Sequence, residues 1–324
     1  IIKTIGEIMD KLKKLGLTAL AGSLVATSAY AGTLDVTGGA SIKYVSEDED
    51  EVTGQPFTMG KGVTFTGTGD VNGNAVKFFY IMDDAAFSSS GISVDMGDSG
   101  VFTFENGGQN TGLMSLKDKI PVAGAEQAYD DMAGDGNGLA SMANDGVLGF
   151  ANTYSGVKVS LAFNKGGDST TGGETSTQAG SSHSIAVSGE LSEGLEAGIG
   201  YGDISGSTTA NDETQSTVYA KYANSGITVA LQRTDLDKPA GTKDIVSLGY
   251  GATFQVNPDF AIGVSRLDVD FDNAASIEQE SSAIGASYTM GSMALKGTMA
   301  STDAAGGVSG ADDKHTEIVL SFNF

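Results

Sequence analysis

Apolar side chains recur at every second position along most of this chain. In the last segment, residues 314–324, one phase of the alternation is apolar from Ile318 onwards and the other is mostly polar. Because successive side chains of a β-strand point to opposite faces, this period of two predicts a strand with one apolar and one polar face. The apolar phase of this last segment consists of Ile318, Leu320, Phe322 and Phe324.

The same alternation repeats through the rest of the chain and predicts about sixteen strands. It marks residues 33–45, 61–68, 76–82, 92–96, 102–104, 148–150, 157–163, 185–191, 195–201, 218–222, 227–231, 246–250, 260–264, 284–290 and 293–299, together with the terminal segment. In the thirteenth segment the apolar phase slips between Val264 and Leu267, which predicts a β-bulge there.

One long interruption separates the fifth and sixth segments. Residues 107–146 show no alternation, and their apolar side chains are spaced irregularly among acids and glycines. An insertion of this length within a regular array is usually functional.

The connections between segments are short and long in turn. Those after even-numbered segments are tight, as at Asn72-Gly73 and Asn224-Ser225, and those after odd-numbered segments are mostly longer and polar. Short turns on one rim and long loops on the other predict an all-β, antiparallel up-and-down barrel, because closure removes exposed strand edges.

The first 31 residues have the features of a secretory signal peptide. A basic group of lysines precedes the apolar run 15–25, and Ala29-Tyr30-Ala31 fits a cleavage site. The run is too short for a spanning helix, which needs about 20 apolar residues. We therefore expect residues 1–31 to be removed, residues 1–8 to be an upstream extension, and residues 32–324 to form the barrel.

Composition excludes several kinds of site. The formal net charge of −23 argues against nucleic-acid binding, and the absence of Cys excludes disulfides and thiolate chemistry. The chain has two His and no visible catalytic triad, so we predict that it is not an enzyme. No cofactor is predicted, although the Asp- and Gly-rich stretches at 70–74 and 131–138 have oxygen ligands that could hold Ca²⁺; turns explain both stretches better.

Taken together, the chain resembles the sixteen-stranded general porins of the Gram-negative outer membrane. The resemblance rests on the signal peptide, the even strand number, the unequal rims, the insertion after the fifth strand and the ending Leu-Ser-Phe-Asn-Phe. The segment 95–104 is also similar to the one that enters the constriction loop of some porins. Two features depart from the family: a Pro-Glu-Phe-Gly-Gly motif is missing, and there is no Trp for the aromatic girdles.

The resemblance implies a passive diffusion channel for small hydrophilic solutes and ions in outer-membrane lipid. It further implies a homotrimer, a loop at 107–146 that constricts the pore, and Phe324 as the signal read by the barrel assembly machinery. Two alternatives remain: a secreted, acidic, Ca²⁺-binding β-rich surface protein, and an outer-membrane enzyme.

The phase opposite the aromatic residues should face the pore. We predict basic wall residues there and acidic residues at the constriction, with Lys43, Lys77 and Lys296 leading the basic side. Opposed charges would orient dipolar solutes, and the acidic balance would favour cations. Each of these charges could equally be an ordinary solvated one. The predicted basic residues are Lys43, Lys77, Lys158, Lys221 and Lys296, and the acidic ones are Glu105, Asp118, Glu126, Asp130 and Asp131.

Overall fold

The computed structural model describes residues 32–47, 55–84, 86–139, 146–165, 181–205, 212–238, 243–272 and 276–324. The predicted signal peptide, residues 1–31, lies outside the described residues. None of the helices in the described ranges is long and apolar enough to cross a membrane.

Sixteen β-strands account for most of the described residues. Their alternating Val, Ile, Tyr, Phe and Thr side chains suit a pleated surface with two different faces. The strands are β1 Leu34–Glu47, β2 Phe57–Val71, β3 Asn74–Asp83, β4 Ala86–Asp95, β5 Val101–Asn106, β6 Val147–Tyr154, β7 Val157–Lys165, β8 Ser181–Ser192, β9 Leu195–Ile204, β10 Glu213–Asn224, β11 Ile227–Asp237, β12 Ile245–Asn257, β13 Phe260–Phe271, β14 Gln279–Met290, β15 Met293–Asp303 and β16 Asp313–Asn323. Within the described ranges, three short 3-10 helices lie at Gly97–Ser99, Gly112–Leu116 and Ala305–Gly307.

The strands form one closed antiparallel barrel, which confirms the predicted fold. Each strand pairs with its neighbours in sequence, and β1 pairs with β16 from Gly39 opposite Asn323 to Glu47 opposite His315. The chain end takes part in this closure: the backbone N–H of Phe324 donates to the carbonyl of Gly38 at 2.8 Å. The Phe324 side chain is exposed, and its role in assembly stays a prediction.

The two phases of each strand differ sharply in exposure and polarity. Outward side chains are apolar and exposed, as with Leu161, Ile199 and Met299. Inward side chains are mostly small or polar, and many are buried, as with Thr217 and Gln279. An apolar outer band around a polar interior is the arrangement of a barrel that spans a lipid bilayer.

The bulge predicted between Val264 and Leu267 is wrong. The pairing of β13 with β14 runs without a register shift from Phe260 to Val269, and the irregularity lies in β12, between Gln255 and Asn257. Leu267 points inward, where it is 2% exposed. Leu267 is apolar because the insertion after β5 packs against this part of the wall. The change of apolar phase in the sequence therefore marks a part of the inner wall that the insertion covers.

The predicted alternation of short and long connections holds with one exception. Two residues, Asn72 and Gly73, join β2 to β3; both have positive φ, and Gly73 N–H donates to Asp70 Oδ1 at 2.8 Å. The connection from β3 to β4 is equally short, although it follows an odd-numbered strand. The longest connection lies between Asn106 and Val147, and its described part, residues 107–139 with Gly146, contacts the barrel wall from inside.

Candidate functional site inside the barrel

The insertion starts over a buried carboxylate. Glu105, an inward residue of β5, is 6% exposed, and its Oε2 accepts hydrogen bonds from Thr111 Oγ1 at 3.1 Å and from the Asn110 N–H at 3.2 Å. Glu105 was predicted to be a constriction acid. The structure contradicts this placement, because the insertion folds back over the carboxylate and removes it from the pore surface.

The first part of the insertion, residues 112–119, contacts β7 to β11 mainly through uncharged groups; we call it the neutral attachment. Leu113 and Leu116 are 0% and 1% exposed. Leu113 packs with Leu139 and Ile204, and Leu116 packs with Ala186 and Tyr219. Burial of two leucines makes this end of the insertion one of the apolar clusters of the barrel interior.

Neutral hydrogen bonds reinforce this packing. Ser160 and Ser184 on the wall accept from the N–H groups of Gly112 and Leu113 at 2.9 and 3.0 Å. The Gln232 side chain donates to the carbonyl of Leu116 at 2.8 Å and accepts from the Lys119 N–H at 3.2 Å.

A glycine in β9 makes room for the two leucines. A Cβ at Gly200 would lie 2.6 Å from Leu113 Cδ1, so a larger residue there would force the Leu113 side chain to shift.

The later part, residues 124–135, contacts β14 to β16 and β1, with charged groups at its centre; we call it the charged attachment. The hydroxyl of Thr298 accepts from the N–H groups of Ala125 and Glu126 at 2.7 and 3.3 Å. Further along, the Ala133 N–H donates to Asp313 Oδ2 at 2.6 Å. The backbone around Glu126 is therefore held against the wall.

Lys43 lies at the centre of the charged attachment. Its Nζ is 2.5 Å from Glu317 Oε2, 3.2 Å from Glu126 Oε1 and 3.3 Å from Asp131 Oδ2. One ammonium thus joins β1 and β16 to two acids of the insertion. Burial raises the pKa of Glu126 to about 7, and the neighbouring carboxylates of Glu317 and Asp131 add to the rise.

His315 completes this group and was not predicted as a site residue. Its side chain is 1% exposed, and Nδ1 lies 3.0 Å from Glu47 Oε1. Nε2 lies 3.5 Å from Glu317 Oε2 and 3.7 Å from Glu126 Oε2. The sequence carried one signal: Asp313, His315 and Glu317 are polar residues in the inward phase of the last strand.

The opposite side of the interior has a basic group. Lys119 Nζ lies 5.0 Å from the centre of the Tyr219 ring, and the Tyr219 hydroxyl donates to Glu196. Burial lowers the pKa of Lys119, and the charges of Lys221 and Lys158 lower it further while Glu196 opposes them. Lys119 of the insertion is therefore close enough to two wall lysines, Lys158 of β7 and Lys221 of β10, to be affected by their charge.

The other predicted residues are placed less centrally. Lys77 and Lys296 lie in the inward phase of β3 and β15, and neither forms an ion pair with an acid in the described part of the chain. Asp118 accepts from the Tyr129 hydroxyl at 3.0 Å, and Asp130 accepts from the Gln127 N–H at 3.0 Å. These two acids support the fold of the insertion itself. Among the predicted basic residues, all of which the structure describes, only Lys43 forms ion pairs with the predicted acids.

Sequence comparisons find no relative of this chain. No protein-family model matches it, and no curated protein matches it either.

Comparison of the structure with solved structures does find matches. A porin superposes with a TM-score of 0.67 at 16% identity, covering 90% of this chain and 100% of the porin. The anion-selective porin from Comamonas acidovorans gives 0.65 at 15% identity, covering 90% of this chain and all of that porin. Salmonella typhi OmpF in complex with daunomycin gives 0.68 at 13% identity, covering 91% of this chain and 98% of OmpF. At these identities the likeness concerns the fold: the chain has the fold of the general porins, a closed sixteen-stranded antiparallel barrel.

Proposed function

We propose that this protein is a passive diffusion channel for small hydrophilic solutes and ions across the outer membrane, with a preference for cations. The observation that carries the proposal is the closed barrel with an apolar outside, a polar inside and a charged insertion attached to its inner wall. A barrel of sixteen strands is wide enough to enclose an aqueous channel.

The contacts of the insertion suggest where solutes would pass. Residues 110–139 bond to inward side chains of β5, β7, β8, β11, β12 and β14 to β16, and through Lys43 to β1. Within the described ranges, no hydrogen bond or ion pair joins residues 110–139 to β2 or β3. We therefore place the aqueous path beside β2 and β3, with the insertion narrowing it from the other side.

Charge gives the expected selectivity. The chain has a net charge of −23, and the charged attachment holds an excess of carboxylates over ammonium groups at the insertion. A negative interior raises the local concentration of cations. The preference should be modest, because charges more than about 8 Å apart are largely screened at physiological salt.

Membrane location and assembly belong to the same proposal. The apolar outward phase supports insertion into lipid, and the similar OmpT structure is that of an outer membrane protein of Vibrio cholerae. A homotrimer, as the porin resemblance implies, is proposed with the channel. The closed barrel with its apolar exterior favours the channel over a secreted surface protein.

Planar-bilayer recording of the purified, folded protein tests the channel. Discrete conductance steps are expected, with a reversal potential of cation-selective sign in a salt gradient. Electrophoresis of unboiled and boiled samples verifies that the protein is folded. Folded protein that enters the bilayer without conductance steps would overturn the proposal, and an anion-selective reversal potential would overturn the charge argument.

A further inference from the structure

We propose that His315, Glu317 and Glu126 form a binding site for a divalent first-row transition metal ion such as Zn²⁺. The site would join the insertion to the last strand of the barrel, because Glu126 belongs to the insertion and the other two residues belong to β16. The proposal concerns binding alone and does not depend on the channel function.

The spacing of the donor atoms fits a shared metal ion. His315 Nε2 lies 3.5 Å from Glu317 Oε2 and 3.7 Å from Glu126 Oε2. Ligand atoms on a tetrahedral Zn²⁺ lie about 3.3–3.4 Å apart, since each bond is about 2.0–2.1 Å long. Small shifts of the side chains would close the site. Asp131 offers a further oxygen, and the donor atoms of all four residues lie within 4.8 Å of one another.

The second ring nitrogen of His315 already has its partner. Nδ1 lies 3.0 Å from Glu47 Oε1, so the proton of a neutral imidazole belongs on Nδ1 and the lone pair on Nε2. A carboxylate on the far nitrogen of a metal-binding histidine is a recurrent arrangement, because it fixes the tautomer and the ring orientation.

His315 Nε2 is a buried donor atom directed at two carboxylates. It makes no hydrogen bond with any described residue, and its side chain is 1% exposed. Both distances to the carboxylate oxygens exceed the usual length of an N–H···O bond. A buried polar atom without a partner is unfavourable, and a cation bound between the three atoms would relieve it.

The side chains around His315 carry enough excess negative charge to bind a dication. Four carboxylates, those of Glu47, Glu126, Asp131 and Glu317, surround one ammonium, that of Lys43. With a neutral imidazole the formal charge is −3, and a dication would reduce it to −1. Lys43 competes with the metal, but its side chain is 30% exposed and can remain on Asp131, which is 58% exposed.

The backbone holds the three ligands in place before any ion binds. His315 and Glu317 are two residues apart on one strand and share its inward face. The Glu126 N–H donates to Thr298 Oγ1 at 3.3 Å, and the Ala125 N–H donates to the same atom at 2.7 Å. Such positioning reduces the entropy lost when the site closes.

The ligand set favours a transition metal over Ca²⁺. An imidazole nitrogen with carboxylate oxygens suits Zn²⁺, Co²⁺ or Ni²⁺. Ca²⁺ takes six to eight oxygen ligands in most sites. We expect Ca²⁺ to bind here more weakly than Zn²⁺.

Zn²⁺ binding to the folded, detergent-solubilised protein tests the site. Calorimetric titration with ZnCl₂ should give one site per chain, weakened at least tenfold in His315→Gln. The chain offers a matched control in its only other histidine: His183 is exposed on the outward face of β8, and His183→Gln should bind Zn²⁺ as the wild type does. Equal binding by both variants, or no saturable binding by the wild type, would overturn the proposal.

Two further variants separate coordination from a structural effect. Glu126→Gln lies outside the strands, so the barrel should form normally while Zn²⁺ affinity falls. Glu47→Gln should weaken binding about 10- to 100-fold, as is usual for a group that orients a metal-binding histidine. Co²⁺ provides a spectroscopic check, because tetrahedral Co²⁺ absorbs visible light strongly. Absorption that is unchanged in His315→Gln and Glu126→Gln would place the ion elsewhere and contradict the proposal.

Discussion

The neutral attachment holds the insertion mainly by apolar burial, whereas the charged attachment holds the same insertion mainly by ion pairs. Leu113 and Leu116 bury their side chains completely, and each such burial contributes about 1.5–3 kcal/mol. The charged attachment depends instead on Lys43 and on the insertion acids Glu126 and Asp131, whose side chains are 16% and 58% exposed. Partly exposed ion pairs contribute about 0–1 kcal/mol and are screened by salt. We therefore expect one end of the insertion to stay fixed and the other to respond to charge and salt.

The largest effect is expected when the neutral attachment loses a leucine. Leu113→Ala should cost about 2–5 kcal/mol of docking free energy, because it leaves a cavity in the most buried part of the interior. Limited proteolysis of the folded barrel should then cut the insertion faster. Val122→Ala, at a 36% exposed position of the insertion, is the control and should leave the cutting rate unchanged. Equal cutting of the two variants would show that Leu113 does not hold the insertion.

A charge on the outer face should also be costly. Leu161 is the central residue of β7 and points outward, so Leu161→Arg should destabilise the barrel by about 2–4 kcal/mol in lipid. Thr66→Arg introduces the same charge on the inner face, where Asp35 pairs with Thr66 and can neutralise it. Unfolding in urea from lipid vesicles measures the difference, and equal stability would mean that the assigned faces are wrong.

Ser160→Arg tests an inner-wall position that the insertion covers, in comparison with Thr66, which the described part of the insertion does not cover. Periodicity treats Ser160 and Thr66 alike, since both are inward residues. Ser160 is 2% exposed and accepts from the Gly112 N–H, so a large side chain there must displace the neutral attachment. We expect a cost of about 1–3 kcal/mol and a more protease-sensitive insertion, whereas Thr66→Arg should leave proteolysis unchanged. Resistance of Ser160→Arg to proteolysis would contradict the contact.

Smaller effects are expected at the charged attachment. Glu126→Gln combined with Asp131→Asn removes two partners of Lys43, so the barrel should keep its stability while the reversal potential in a salt gradient moves towards anions. Asp98→Asn combined with Glu193→Gln, both in turns at the opposite, short-turn rim, removes the same number of charges and should shift the potential less. A reversal potential that stays at the wild-type value would show that the charged attachment does not determine the ion selectivity.

The smallest expected effect comes from salt alone. The screening length falls from about 10 Å at 0.1 M salt to about 3 Å at 1 M, so the cation preference should fade over this range. The protease sensitivity of residues 112–119 should stay constant, because burial of Leu113 and Leu116 is not screened. Release of the neutral attachment at high salt would remove the distinction between the two ends.

The sequence by itself determined the barrel. Which side chains face outward depends on a period of two that can be read locally, and the short turns are encoded by neighbouring residues such as Asn72 and Gly73. The strand number and the antiparallel order follow from this local pattern, and the structure confirms them.

Only the tertiary structure decided what the insertion contacts. Lys43 and Glu126 are 83 positions apart, and no periodic pattern relates them. The same limit explains why the sequence pattern places Glu105 on the pore surface, why it predicts a bulge next to the inward Leu267, and why it does not identify His315 as a site residue. Their surroundings depend on the packing of an irregular segment against distant strands. Strand alternation is set by backbone geometry, whereas this packing is set by side chains that meet only after the barrel has closed.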